Sequence, residues 1–219
     1  MTRARAEILG RVRKALGVDR PPAAAEYDAI TRGYVQASRL NQAELVELFA
    51  SRIVHYDGTV RQCQNIELAA VVDEVLSARN VHRILVPSDI DVRWLPCTIS
   101  CVHDVDTTPE ELDRCEGVMT GCAVAIATTG TMVLTHGPGQ ARRALTLVPD
   151  YHLSIVFSDQ IVETVPEGLR RIAAMAPPLI TTISGPSATA DVEMTRIKGV
   201  HGPRTLDIIL VAGMMRTHA

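Results

Sequence analysis

Two hydrophobic rhythms alternate along the chain between Arg39 and Cys115. Stretches with apolar residues every three or four positions read as amphipathic helices, and short runs of consecutive apolar residues read as buried strands. NQAELVELFASRIVHY (41–56) predicts a helix with Asn41 as its N-cap. TVRQC (59–63) predicts a short strand. NIELAAVVDEVLSAR (65–79) predicts a second helix, capped by Asn65 and acidic in its first turn. HRILVP is a strand that stops at Pro87, and TISCVHDV (98–105) is another. TTPEELDRC opens a helix, with Thr108 as cap and Pro109 at the first helical position. Strands alternating with helices of this length predict a mostly parallel sheet covered on both faces.

The rhythm changes after Glu116. GVMTGCAVAIATTGTMVLTHGPG (117–139) holds two apolar runs separated by Thr128-Thr129-Gly130. ARRALTLVPDYHLSIVF (141–157) supplies two further strand candidates around Pro149-Asp150. Strands this short and closely spaced predict a partly antiparallel arrangement. PEGLRRIAAM (166–175) is a helix, LITTIS (179–184) a strand, and a short helix is expected from about Thr189 before the last strand, TLDIILV (205–211). At the other end, Ile8, Leu9, Val12, Ala15 and Leu16 have helical spacing and Gly17 stops the pattern. VDRPPAAAEYDA (18–29) reads as a linker. The organisation expected is a helical arm (1–20), a linker (21–38) and one α/β domain (39–215). The arm either packs on a neighbouring subunit or lies on its own domain.

Composition narrows the function. Hydrophobic residues make up 47% of the 219 but aromatics only 3%, so the core is aliphatic. The net charge is −3 with Lys and Arg dispersed, which lacks the basic stripe and stacking aromatics of a nucleic-acid groove. No apolar run is long enough to cross a bilayer, and the basic N-terminal stretch has no signal-peptide core. A soluble, cytoplasmic protein is expected. The five cysteines (Cys63, Cys97, Cys101, Cys115, Cys122) are odd in number and include one lone C-x3-C, which suits free thiols and neither a disulfide framework nor a zinc or iron–sulfur site. His55, His82, His103 and His218 form no constellation, so no metal is expected.

The densest polar chemistry lies in ISGPSATADVEMTRIKGVHGPR (183–204), which contains Gly185-Pro186 and Gly202-Pro203. A strand running into Gly185-Pro186-Ser187, with Ser187 or Thr189 capping a helix, would point free backbone N–H groups at an anion. In an open α/β sheet such a corner is expected at the carboxyl ends of the strands. The second turn would bring His201 and Arg204 to the same edge. The alternative is two rigid turns and a capped helix with no ligand.

The same residues carry a resemblance. ISGPSATADVEMTRIKGVHGPRTLDIILV (183–211) resembles the closing signature of the lactate-utilisation (LUD) domain family. GCAVAIATTGTMVLTHGPGQARRALTLVPDYHLSIV (121–156) is similar to that family's central block, where an A-x-T-G-T-[LM]-V-L strand precedes a small loop, an Arg-containing turn and Leu-x-Pro-x-x-His. ILGRVRKALG (8–17) is similar to its opening helix. These matches cover residues 1–17 and 116–212. The resemblance implies a three-layer, open, mostly parallel α/β sheet of the sugar-phosphate isomerase and CoA-transferase type. It also implies a role in L-lactate utilisation, as a subunit acting with iron–sulfur partner proteins that oxidise lactate to pyruvate. Iron–sulfur clusters are then expected on the partners, and no cofactor on this chain. Thr128 stands where the family commonly has Glu, and Gly121-Cys122-Ala123 lacks an acid often seen there, so a CoA-transferase-like nucleophile is missing.

Candidate ligand-binding residues are Thr129, Gly130, Thr131, Arg143, Gly185, Ser187, Thr189, His201 and Gly202. His152, His201 and Glu193 are the candidates for proton handling. Asp191 is two residues from Glu193 and points elsewhere on a helix, so the two make no acid–base pair. His136 reads as a loop residue. Arg143 aligns with the family's loop arginine, and a guanidinium fork suits a carboxylate or phosphate. The leading expectation is an accessory subunit of lactate oxidation, non-catalytic by itself, that binds a small carboxylate or phosphate. The alternatives are an interaction module without a site of its own and a stand-alone isomerase or acyl-transferase. A homo-oligomer is compatible with each.

Overall fold

A computed structural model of the chain describes residues 3–16, 28–189, 197–199 and 201–214. The chain divides into two compact units, Met1–Tyr34 and Val35–Ala219. The first contains helix α1 (Arg3–Leu16), whose apolar residues Ile8, Leu9, Val12 and Leu16 are exposed. The second contains the sheets. Among the described residues, no helix is long and apolar enough to cross a membrane.

The main sheet has six parallel strands. In spatial order they are β1 (Thr59–Gln64), β12 (Thr205–Ala212), β7 (Tyr151–Phe157), β4 (Gly117–Gly121), β2 (Arg83–Pro87) and β3 (Ser100–Asp104). β7 is buried along its whole length, as a central parallel strand covered on both faces should be. The period of two sorts its side chains into two layers. Leu153, Ile155 and Phe157 join Ile209 and Val211 and pack with Leu68, Val72 and Leu76 of α3 (Leu68–Ala78). Val156 faces the other way. With Leu206, Ile208 and Leu210 it meets Leu45, Phe49 and Ile53 of α2 (Gln42–His55) and a second sheet. Burying each such aliphatic side chain contributes about 1.5–3 kcal/mol.

The second sheet has four strands, ordered β8 (Ile161–Val162), β5 (Val124–Ile126), β6 (Thr131–Leu134) and β9 (Thr181–Ile183). β5–β6 and β6–β9 are antiparallel and β5–β8 parallel, matching the mixed pairing expected for this region. The α/β class with its open, mostly parallel sheet is as the sequence predicts.

Capping follows the sequence at Asn41 and Thr108, and the structure adds a third cap at Thr164. Asn41 caps α2 in a capping box with Glu44, and Thr108 caps α4 (Pro109–Asp113). Thr164 caps α5 (Val165–Met175) with Pro166 in the first turn. Three expectations are corrected. Asn65 does not cap a long helix: residues Asn65–Glu67 form a 3₁₀ turn, Glu67 accepts the Gln64 N–H, and α3 starts at Leu68. Arg143–Thr146 is a 3₁₀ turn and not a strand, so only one strand follows, beginning after Pro149-Asp150. Beyond Gly185-Pro186 the chain does not enter a helix at Thr189. Ala188–Thr189 is strand β10, paired antiparallel with β11 (Ile197–Lys198). Asp191 and Glu193 lie outside the described residues.

Candidate functional site

β9 ends at Ile183 and the chain turns through Ser184, Gly185 and Pro186. Gly185 has φ +82°, and a Cβ there would stand 2.6 Å from Tyr56 Cβ, so only glycine fits both the backbone and the space. The two Gly-Pro turns are tied together. Ser187 N–H donates to Pro203 O at 2.8 Å, and Gly199 N–H donates to Ser187 O at 2.8 Å. Gly202, at φ +147°, makes the second turn and leads into β12.

Between these turns and the buried face of the main sheet lies a cavity of about 280 Å3. Arg143, His152, Gly185, Ser187, His201 and Gly202 all line it. Among the described residues that do, none is Asp, Glu or Lys, and Arg143 is the one arginine. The sequence placed this corner at the carboxyl ends of the parallel strands. It lies instead at the amino ends of β7 and β12, beside His152 and Leu206, because the preceding strand β9 belongs to the antiparallel second sheet. A separate cavity of about 340 Å3 does sit at the carboxyl ends of β2 and β3, lined by Asp89, Asp104, His136 and Arg142 among others.

His152 is 1% exposed and faces the layer between the sheets. Its Nε2 lies 2.8 Å from Thr120 Oγ1, itself fully buried. Burial pushes its pKa down to about 4, so the ring is neutral at physiological pH. It can accept or donate a hydrogen bond to a ligand without adding charge.

Arg142 and Arg143 have opposite roles. Arg142 grips Asp104 with Nε and Nη2 at 2.8 and 3.0 Å and is thereby a structural residue. Arg143 forms no ion pair among the described residues, and its Nη1 donates to Thr181 Oγ1 at 2.6 Å. The same hydroxyl lies 2.8 Å from His136 Nε2, and His136 Nδ1 lies 2.8 Å from Ala141 O. His136 is thus more than the loop residue its sequence context suggests. No local pattern could have announced this, because Thr181 is 45 residues away along the chain.

The Thr129-Gly130-Thr131 turn is not where it was expected. None of the three lines the cavity. Gly130 has φ +58°, and a Cβ there would be 2.8 Å from Arg52 Cβ, so the turn closes against α2. The hydroxyls of Thr129 and Thr131 bond to each other at 2.7 Å. Thr131 reaches the site only indirectly, through Ser184 Oγ at 2.8 Å. Arg204 is also removed from the cavity, since Asp150 holds its Nε and Nη2 at 2.6 and 2.7 Å. Thr189 lies on β10, and its side chain is outside the described residues.

Residues 101–211 match the LUD domain family. Lactate utilization protein C of Deinococcus radiodurans is 39% identical over 212 residues, covering 95% of both chains. The chain belongs to the LUD domain family. Lactate utilization protein C of an Exiguobacterium species is 28% identical over 226 residues, covering 94% of this chain and 95% of that one. The crystal structure of a DUF162 family protein from Deinococcus radiodurans superposes with a TM-score of 0.68 at 37% identity, covering 78% of this chain and 99% of that one.

For this LUD domain, the Glu-to-Thr departure at Thr128 falls outside the cavity. Thr128 is exposed on the 3₁₀ turn Ala127–Thr129, and its N–H donates to Glu163 O. The five cysteines are free. Cys63, Cys115 and Cys122 are buried, Cys101 is half-buried and Cys97 is exposed. Burial pushes Cys122 up to about 12 and Cys63 up to about 11, which keeps both protonated and unreactive.

Proposed function

We propose that this LUD domain protein is an accessory subunit of L-lactate utilisation that binds a small anion, a carboxylate or a phosphate, in the cavity between the Gly-Pro turns. Its partners would be iron–sulfur proteins that carry out the oxidation of lactate to pyruvate. The observation that carries this reading is Arg143, without an ion pair among the described residues, and two histidines, His152 and His201, lining one cavity with no acid among its described lining residues. The relatives' name, lactate utilization protein C, supplies the process. Its role is substrate handling and not acyl transfer, because neither Thr128 nor any described lining residue offers a carboxylate nucleophile. The test is growth on L-lactate as sole carbon source. A strain lacking the chain stops growing, the wild-type chain restores growth, and Arg143→Ala does not. Full complementation by Arg143→Ala would remove the cavity from the account.

A second reading, an interaction module, is favoured by α1, whose residues Ile8, Leu9, Val12 and Leu16 are exposed and apolar. It predicts that co-purification with the iron–sulfur partners is lost when residues 1–17 are deleted and survives substitution of Arg143 and His201.

A further inference from the structure

Four arginines of this protein grip an aspartate in the same way. Arg79 on Asp207, Arg142 on Asp104, Arg204 on Asp150 and Arg93 on Asp91 all use the edge formed by Nε and Nη2. That edge presents two parallel donors, which match the two oxygens of a carboxylate. Arg143 differs. Its contact to protein is through Nη1, which donates to Thr181 Oγ1, and its Nε–Nη2 edge has no partner among the described residues.

For a neutral His136 ring the hydrogen bonds behind Arg143 have one arrangement. A guanidinium only donates, so Thr181 Oγ1 accepts from Nη1. The Thr181 hydroxyl hydrogen then goes to His136 Nε2, which must be the unprotonated nitrogen. His136 Nδ1 carries the proton and donates to Ala141 O. The relay closes on the loop that carries Arg143. His136 and Ala141 both adopt left-handed backbone, at φ +56° and +63°, which non-glycine residues hold only when their surroundings compel it.

Resting on the cavity reading above, we propose that this relay holds the free Nε–Nη2 edge of Arg143 ready for the carboxylate of a small monocarboxylic acid, with His136 and Thr181 as positioning residues of the site. Arg143 supplies one positive charge, matched by one carboxylate. A phosphate or phosphate ester carries more negative charge, and Arg143 is the one Lys or Arg among the cavity's described lining residues. A 2-oxo or 2-hydroxy acid has a further oxygen for the neutral imidazole of His152.

The test is isothermal titration calorimetry on the full chain with pyruvate, L-lactate, inorganic phosphate and glycerol 3-phosphate. Pyruvate or L-lactate should bind, the two phosphates at least about tenfold more weakly, and Arg143→Gln should abolish binding. Thr181→Val should weaken carboxylate binding about tenfold, and Thr181→Ser should restore it. His136→Asn should match Thr181→Val, since Asn tolerates the left-handed backbone but is too short to reach Thr181. Melting temperatures measured beside each titration separate lost aim from lost fold, and Thr181→Ser against Thr181→Val does so again. Binding of phosphate in preference to both carboxylates would overturn the ligand class while leaving an anion site. Wild-type carboxylate affinity in both Thr181→Val and His136→Asn would overturn the positioning role. No heat with any of the four would end the cavity reading itself.

Discussion

Thr120 Oγ1 and His152 Nε2 meet at 2.8 Å on the buried face of the main sheet, one strand apart. The pair holds an imidazole in a place where charge is costly. In the unfolded chain this histidine titrates near 6.5, and in the fold burial lowers it to about 4. Between those values the unfolded state binds the extra proton, so stability falls as pH falls from about 6.5 to about 4 and is level below that. The lost amount is about 3 kcal/mol. Urea unfolding of wild type and His152→Gln across pH 4–7 should show this slope in the wild type and a shallower one in the variant. Equal slopes would mean that the ring is not buried neutral.

Ser154 lies two residues on, on the same face of β7, and its Oγ is buried without a hydrogen-bond partner among the described residues. An unsatisfied hydroxyl costs more than it returns. Ser154→Ala should therefore raise stability by about 1 kcal/mol, read as a higher denaturant midpoint at unchanged m-value. A drop in midpoint would mean that the hydroxyl has a partner after all.

Gly185→Ala should lower stability by at least about 2 kcal/mol and weaken anion binding together, because the turn would have to move off Tyr56 to make room. Gly139→Ala makes the comparison informative. Gly139 also has positive φ but nothing within 4 Å of the added Cβ, so it should show the conformational cost alone.

On the opposite face of the main sheet, Asp207 is 3% exposed and receives Arg79 Nε and Nη2 at 2.8 and 2.6 Å and the Tyr151 hydroxyl at 3.1 Å. Burial, with the adjoining Asp207 charge, pushes the Tyr151 hydroxyl well above the usual phenol range. Arg79→Met leaves a buried carboxylate with one neutral partner. Thermal unfolding should register a loss of about 2–3 kcal/mol, smaller than for a fully buried pair because Arg79 is half exposed. Asp207→Asn with Arg79→Met together should recover part of it.

Periodicity made the alternation of α2, β1, α3 and β2 legible, and caps such as Asn41 and Thr108 could be read from single residues because they act over three or four positions. Arg143, His152, His201 and the Gly-Pro turns were named from sequence and share one cavity. What could not be read was long-range. Ser187 looks like a helix cap locally, but its N–H is claimed by Pro203 across the hairpin. Thr-Gly-Thr looks like an anion turn, but Arg52 of α2 occupies the space in front of Gly130. His136 gained its importance from Thr181, and that partnership exists only after β6 and β9 pair.

The cavity draws its walls from residues 143 to 206 and from both sheets, with His152 and Leu206 on one and Thr181 on the other. A chain stopped before β12, or one whose β9 has failed to join β6, would possess the individual side chains without the enclosure. Affinity for the proposed anion should therefore gauge completed assembly, emerging all at once, late in refolding, and not growing in step with the helices.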